Sequence, residues 1–210
     1  PRSVDEPELT HKHCVDATFT LLMAARDARV KRFVYAASSS AYGDTPTLPK
    51  VETMATSPLS PYAVGKLVGE YYCSVFAKVF GLETISLRYF NVFGHYQDPT
   101  SQYAAAIPAF VTGILKDQPP TIYGDGEQSR DFTYIDNVVQ ANLCAARAKK
   151  TNGEVVNIAC AEKITVNEII AMINEMVGKD VKPIYAPARA GDVKHSLADI
   201  TAARELIGFE

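Results

Sequence analysis

Strand-length apolar runs alternate with helix-period segments along the chain, and that alternation leaves few folds open. Phe33-Val34-Tyr35-Ala36-Ala37 is a short continuous run of the kind found in strands buried on both faces. Before it, residues from about Glu8 to Arg29 have helical period and put Val15, Phe19, Leu22 and Met23 on one stripe. After it, Ser60-Pro61 opens a second helix, with serine as the cap and proline at the first helical position. That helix runs to about Phe80, where Gly81 ends it. Thr84 to Tyr89 reads as a strand, and about Tyr103 to Lys116 as a helix. Thr121-Ile122-Tyr123 is a short strand before the turn Gly124-Asp125-Gly126. A helix at Ile135–Ala148, a strand at Val155–Ala159, a helix at Val166–Val177 and a last helix at about Ile200–Ile207 complete the pattern. Alternation of this kind predicts an α/β fold with a parallel sheet. Functional residues are then expected where strands end, on the carboxyl side of the sheet.

Composition narrows the function classes. At 210 residues the chain can bury a real core, as one large domain or two small ones. A net charge of -3 gives no basic surplus of the sort nucleic-acid binders carry. No apolar run reaches about 18 residues, so no membrane span is expected, and the polar opening Pro1–Pro7 is no signal peptide. Cys14, Cys73, Cys144 and Cys160 show no CxxC spacing and read as reduced core thiols, as in a cytoplasmic protein. His11, His13, His95 and His195 form no ligand set at metal spacing, so no metal site is expected.

Tyr62-Ala63-Val64-Gly65-Lys66 lies in the first turns of the second helix, and a spacing of four puts both named side chains on one face. A free tyrosine ionises near pH 10, too high for a base at neutral pH. A neighbouring ammonium, or the positive ring of an oxidised nicotinamide, favours the phenolate. A tyrosine tuned in this way can take a proton from a sugar hydroxyl. Alone, such a pair is a common coincidence of surface residues. Its context is not common. The first strand ends in Ser38-Ser39-Ser40, hydroxyls that make a poor core but good donors, and Ser38 precedes Tyr62 by 24 residues, enough for a loop to bring strand end and helix start together.

Three runs carry a resemblance: Phe33-Val34-Tyr35-Ala36-Ala37-Ser38-Ser39-Ser40-Ala41-Tyr42-Gly43, Ser60-Pro61-Tyr62-Ala63-Val64-Gly65-Lys66, and Leu87-Arg88-Tyr89-Phe90-Asn91-Val92-Phe93-Gly94. In order and content they resemble the NAD-dependent epimerase/dehydratase family, the extended short-chain dehydrogenases, and within it the bacterial UDP-N-acetylglucosamine 4-epimerases. The resemblance implies a Rossmann-like, doubly wound parallel sheet with a smaller α/β substrate-binding domain. Residues 1–91 and 131–160 would form the NAD-binding part, and 92–130 and 161–210 the nucleotide-sugar part.

Roles follow from the resemblance. Tyr62 would be the base. Lys66 would hold the nicotinamide ribose and lower the tyrosine's pKa. Ser38 would hydrogen-bond the reacting sugar oxygen, with Ser39 and Ser40 beside the sugar. Phe90 would lie near the nicotinamide and Asn91 would contact the diphosphate. Arg130 and Arg189 would bind phosphate, Asp192 the ribose, and Thr121 and Tyr123 the uracil, with Ala105 and Ala106 lining the same cleft. Arginine suits this duty because its fork is permanently charged. The reaction implied is C4 oxidation, rotation of the keto sugar and hydride return, with NAD held tightly throughout. A homodimer through the helices around 8–29 and 61–80 is implied as well.

Residue types at key positions select among family activities. Family dehydratases carry an Asp-Glu pair where this chain has Ser39 and Ser40, and decarboxylases tend to carry a glutamate. Ser196 stands where epimerases restricted to non-acetylated sugars are bulky, which leaves room for an N-acetyl group. These features favour UDP-GlcNAc/UDP-GalNAc interconversion, with UDP-glucose/UDP-galactose and N-acetylated hexuronates as alternatives. A non-catalytic nucleotide-sugar binder is the alternative of a different class. Two departures stand out. No GxxGxxG loop is present, so a chain lacking roughly the first 100 residues of such a fold is expected, one that binds NAD poorly and is inactive by itself. Cys14 replaces an asparagine that usually faces the cofactor.

Overall fold

The computed structural model describes residues 2–98, 106–188 and 194–210. Helices α1 (Arg2–Asp5), α2 (Pro7–His11) and α3 (Ala17–Asp27) come first, with one π-helical turn at Lys12–Asp16 between the last two. Strand β1 (Arg32–Ser38) runs into a 3-10 turn at Ser39–Tyr42, and α4 (Pro61–Phe80) and β2 (Glu83–Tyr89) follow. Then come β3 (Val92–Phe93), α5 (Ala106–Leu115), β4 (Thr121–Tyr123), β5 (Ser129–Arg130), β6 (Thr133–Tyr134) and α6 (Ile135–Arg147). The chain closes with β7 (Glu154–Ile158), β8 (Ile164–Thr165), α7 (Val166–Val177), β9 (Ile184–Ala186) and α8 (Thr201–Ile207).

The main sheet is parallel, in the order β1-β2-β7. Its register sets Ser38 opposite Tyr89 and Tyr89 opposite Ile158, so all three strands end on one edge. Central β2 has two different faces because its side chains alternate. Ile85 and Leu87 are fully buried against Val156, Ile158, Ala141 and Ala145, with Ala203 and Ile207 of α8 joining them. Burying a leucine such as Leu87 is worth about 1.5–3 kcal/mol. On the opposite face Thr84 donates to the Cys73 carbonyl at 2.7 Å and Arg88 pairs with Glu70, both partners on α4. A second apolar cluster joins Leu22 and Ala25 of α3, Tyr35 and Ala37 of β1, and Cys73 and Phe76 of α4. Helices therefore cover both faces, as the alternating sequence predicts.

Gly69 lets α4 lie close on β1. A Cβ there would stand 2.2 Å from the Tyr35 hydroxyl oxygen, which itself reaches the Lys66 carbonyl at 3.3 Å. Gly69→Ala is expected to destabilise the protein by about 1–3 kcal/mol through overpacking, read as a lower urea midpoint; an unchanged midpoint would show that α4 can move away freely.

Several expectations need correction. The first helix is not regular: the π turn at Lys12–Asp16 adds a residue and rotates the apolar stripe. Val15 and Leu22 are buried as expected and Met23 packs against the core, but Phe19 is 40% exposed and rests on Tyr72, ring to ring at 5.2 Å. All four cysteines are free, yet only Cys73 is a core thiol; Cys14, Cys144 and Cys160 are half-buried. The small strands β3, β5, β6, β8 and β9 carry no period, since two or three residues pair with distant segments: β3 with β6, β4 with β9, β5 with β8. Core cluster residues Phe110, Ile122 and Ile170 join α5, β4 and α7, whereas α8 packs on the main sheet rather than with that group. Among the described residues no helix is long and apolar enough to cross a membrane, and no group of His, Cys, Asp or Glu is placed to hold a metal ion.

Candidate active site

Helix α4 begins at the carboxyl edge of the sheet. The Ser60 side chain accepts from the Ala63 backbone N–H at 3.1 Å, and Pro61 presets the first helical turn. This start delivers Tyr62 and Lys66 on one face, toward the end of β1. Burial raises the Tyr62 pKa, and nearby Ser38 pulls it part of the way back. The Ser38 Oγ also accepts from the Ser40 N–H at 3.2 Å and from the Ser40 hydroxyl at 2.9 Å. Helix α4 thus contacts both the end of β1 and the serine turn that follows it.

The Lys66 ammonium donates to the Ala36 carbonyl at 2.9 Å and lies 5.8 Å from the Tyr62 ring centroid and 5.4 Å from that of Tyr35. Burial lowers its own pKa. Desolvation is the largest influence on Tyr62 and holds it above the ordinary tyrosine value.

A cleft of about 490 Å³ opens beside this edge. Ser38, Ser39 and Ser40 form one wall, Phe90 and Asn91 the floor after β2, and Arg130 and Ser196 the far side. Asn91 takes a positive φ of 27°, which asparagine tolerates. Its amide nitrogen donates to the Asp131 carbonyl and to the Ser196 hydroxyl, each at 3.0 Å. Arg130 is steadied by the Ser129 and Lys194 carbonyls at 3.0 and 3.1 Å. The cleft therefore presents hydroxyls on one side and a guanidinium on the other.

Three participants were not singled out from sequence. Asp131 is fully buried; its carboxylate accepts from the Cys160 N–H at 2.9 Å and the Ala198 N–H at 3.1 Å, tying the end of β7 to the segment that carries Ser196. His195 lines the cleft with Nδ1 at 2.8 Å from the Ser129 hydroxyl. Lys50 is 3% exposed, bonds to Thr45 Oγ1 at 2.5 Å, and its backbone pairs with Leu197 and Asp199. Weighing histidines only as metal ligands hid His195, although it stands next to Ser196. A charged residue beside an arginine in Arg130-Asp131 was a signal for Asp131.

Other expected site residues lie apart. Thr121 and Tyr123 are exposed on β4 and do not line this cleft. Ala106 opens α5 and packs against the core of α5 and α7. Ala105, Arg189 and Asp192 lie outside the described residues. On the other side of Tyr62 a second cavity of about 580 Å³ is lined by Leu9, Thr10, His13, Cys14, Ser60 and Tyr62. Ser60 borders both cavities, whereas Tyr62 lines the second and not the first. Cys14 is packed tightly there: a Cβ on Gly65 would lie 2.8 Å from the Cys14 Cβ.

Known proteins resemble this chain in sequence and in fold. The family model described as NAD dependent epimerase/dehydratase family matches residues 1–159. A protein named putative UDP-glucose 4-epimerase from Methanocaldococcus jannaschii is 38% identical over 205 residues, covering 97% of this chain and 66% of that protein. The UDP-N-acetylglucosamine 4-epimerase of Methanobrevibacter ruminantium M1, solved with UDP-N-acetylmuramic acid, matches with a TM-score of 0.97 at 40% identity, over 100% of this chain and 67% of that one. The UDP-glucuronic acid 4-epimerase of Bacillus cereus, solved with UDP-glucuronic acid and NAD, matches with a TM-score of 0.85 at 35% identity, over 94% of this chain and 62% of that one. The chain thus spans just under two thirds of the curated relative's length, and over that span sequence and fold agree: it belongs to the NAD dependent epimerase/dehydratase family.

Proposed function

We propose that the protein is an NAD-dependent UDP-sugar 4-epimerase whose substrates are UDP-GlcNAc and UDP-GalNAc. The observation that carries this reading is a cleft walled by Ser38, Asn91, Arg130 and Ser196 at the strand end against which α4 sets Lys66 and Tyr62. The 4-epimerase names of the relatives support it.

Tyr62 takes the C4 hydroxyl proton and later returns it, and Ser38 holds the same oxygen. Arg130 holds a phosphate, while Arg189, Asp192, Thr121 and Tyr123 are the proposed grip on the rest of the nucleotide. Ser39 and Ser40 bring no carboxyl group, so nothing beside the sugar eliminates water. The cavity between Cys14 and Tyr62 fits the nicotinamide end of NAD in volume and in its mixed polar and apolar lining. NAD, when bound, supplies hydride uptake and return at C4. Lys66 and Phe90 are the proposed grip on that end, and the positive nicotinamide ring together with Lys66 favours the Tyr62 phenolate.

A second copy of the chain is the proposed partner. Tyr71, Val75 and Val79 form an exposed apolar stripe on α4, with Leu21 exposed on α3. Val75→Glu is expected to shift the full-length protein from dimer to monomer in sedimentation velocity; a dimer unchanged by the charge would place the interface elsewhere.

Substrate size is set at Ser196. Ser196→Tyr is expected to lower kcat/KM for UDP-GlcNAc by about 100-fold, the scale of a blocked pocket, and to leave UDP-glucose within a few-fold. Equal loss on both sugars would remove Ser196 from the N-acetyl site. A non-catalytic sugar-nucleotide binder would turn over neither.

A further inference from the structure

A buried ion pair lies directly beneath the catalytic face of α4. Glu70 follows Lys66 by four residues and Tyr62 by eight, so all three project from one side of the helix. Arg88 on β2 grips Glu70 with both prongs of its fork, Nε to Oε1 at 2.9 Å and Nη2 to Oε2 at 2.7 Å. The two side chains are 4% and 3% exposed. The face of the same guanidinium covers the Tyr42 ring, with Cζ 4.6 Å from its centroid. Tyr42 closes the 3-10 turn that begins at Ser39, and its hydroxyl donates to Asn157 Oδ1 at 2.7 Å. One guanidinium therefore bonds the helix that carries Tyr62 and Lys66 and stacks on the turn that carries the serines.

Stability does not account for this pair. Two charges taken out of water regain in mutual attraction about what they lose in hydration, and apolar residues of similar volume serve as well or better. Arg88 Nη1 is buried with no hydrogen-bond partner among the described residues, a further cost. What a bidentate fork adds over apolar packing is direction: two parallel bonds fix both the rotation and the axial position of α4, where methyl groups tolerate a slide. The helix start is where such precision matters, since the Tyr62 hydroxyl must meet Ser38 and the sugar oxygen together.

We propose that Glu70 and Arg88 are positioning residues for the epimerase site, holding α4 so that Tyr62 and Ser38 share one substrate oxygen. The inference rests on the 4-epimerase reading. Neither residue lines the cleft, so both act through Tyr62, Lys66 and Tyr42.

The test compares full-length wild type with Glu70→Gln and with the double variant Glu70→Leu/Arg88→Met. The double variant is expected to unfold at or above the wild-type midpoint or within a few degrees below it, and Glu70→Gln, which leaves the Arg88 charge buried without its partner, well below it; both are expected to bind UDP with unchanged Kd and to keep KM for UDP-GlcNAc within twofold. Their kcat is expected to fall about 10-fold for Glu70→Gln and about 100-fold for the double variant, the scale of an ångström's misplacement. A folded double variant with kcat within twofold of wild type overturns the proposal. So does a double variant that cannot fold, since the pair would then serve stability, and so does a loss confined to KM. If wild type interconverts no UDP-sugar at all, the reading of the site fails instead, and the two failures are told apart by that single control.

Discussion

Tyr62→Phe in the full-length protein is expected to lower kcat by about 10³-fold, the usual weight of a positioned acid–base group, while UDP binds with unchanged affinity. The substitution removes one oxygen. The ring keeps its place at the start of α4. What is lost is the hydroxyl proposed to take the C4 proton. The pH dependence separates a base from a bystander. Burial holds the Tyr62 phenol above its ordinary value, so the wild-type rate should climb with rising pH as the phenolate forms. The residual rate of the phenylalanine variant should lack that limb. Turnover that survives the change would remove Tyr62 from the chemistry.

Asp131→Ala is expected to cost about 3 kcal/mol of stability, because a buried donor left without its acceptor costs about 1–3 kcal/mol. Two such donors are at stake, the Cys160 and Ala198 backbone N–H groups. The carboxylate is fully buried, so bulk water does not reach these donors in the folded protein. Asp131 also supplies the carbonyl that orients Asn91 and the N–H that meets the Ser196 hydroxyl at 3.3 Å. Loosening it should therefore raise KM for the UDP-sugar as well as lower the urea midpoint. A drop in stability with KM unchanged would confine Asp131 to the scaffold.

The catalytic side of the site was legible in sequence because its signals are local and periodic. Ser60-Pro61 and Gly81 bound α4 at the residues expected, and a spacing of four on a helix fixes a shared face without any tertiary information. The serine strand end followed from an apolar run that stops abruptly. The far wall was less legible. Ser129, Arg130 and His195 come together through a two-residue strand and an isolated bridge, and contacts that short leave no period in the chain. The π turn at Lys12–Asp16 has no sequence marker either, which is why Phe19 was placed inside and lies outside. Proximity of Lys66 to Tyr62 was legible, but its bond to the Ala36 carbonyl and the burial of the phenol are tertiary facts.

The central claim is that one site removes a hydride from C4 and returns it to the same carbon on the other face. Incubating the full-length protein with UDP-GlcNAc deuterated at C4, and reading the products by NMR, tests it most directly. The account predicts UDP-GalNAc that carries deuterium at C4, with no loss of label to solvent. Absence of the C4 epimer, or a product in which C4 carries solvent hydrogen, would contradict it.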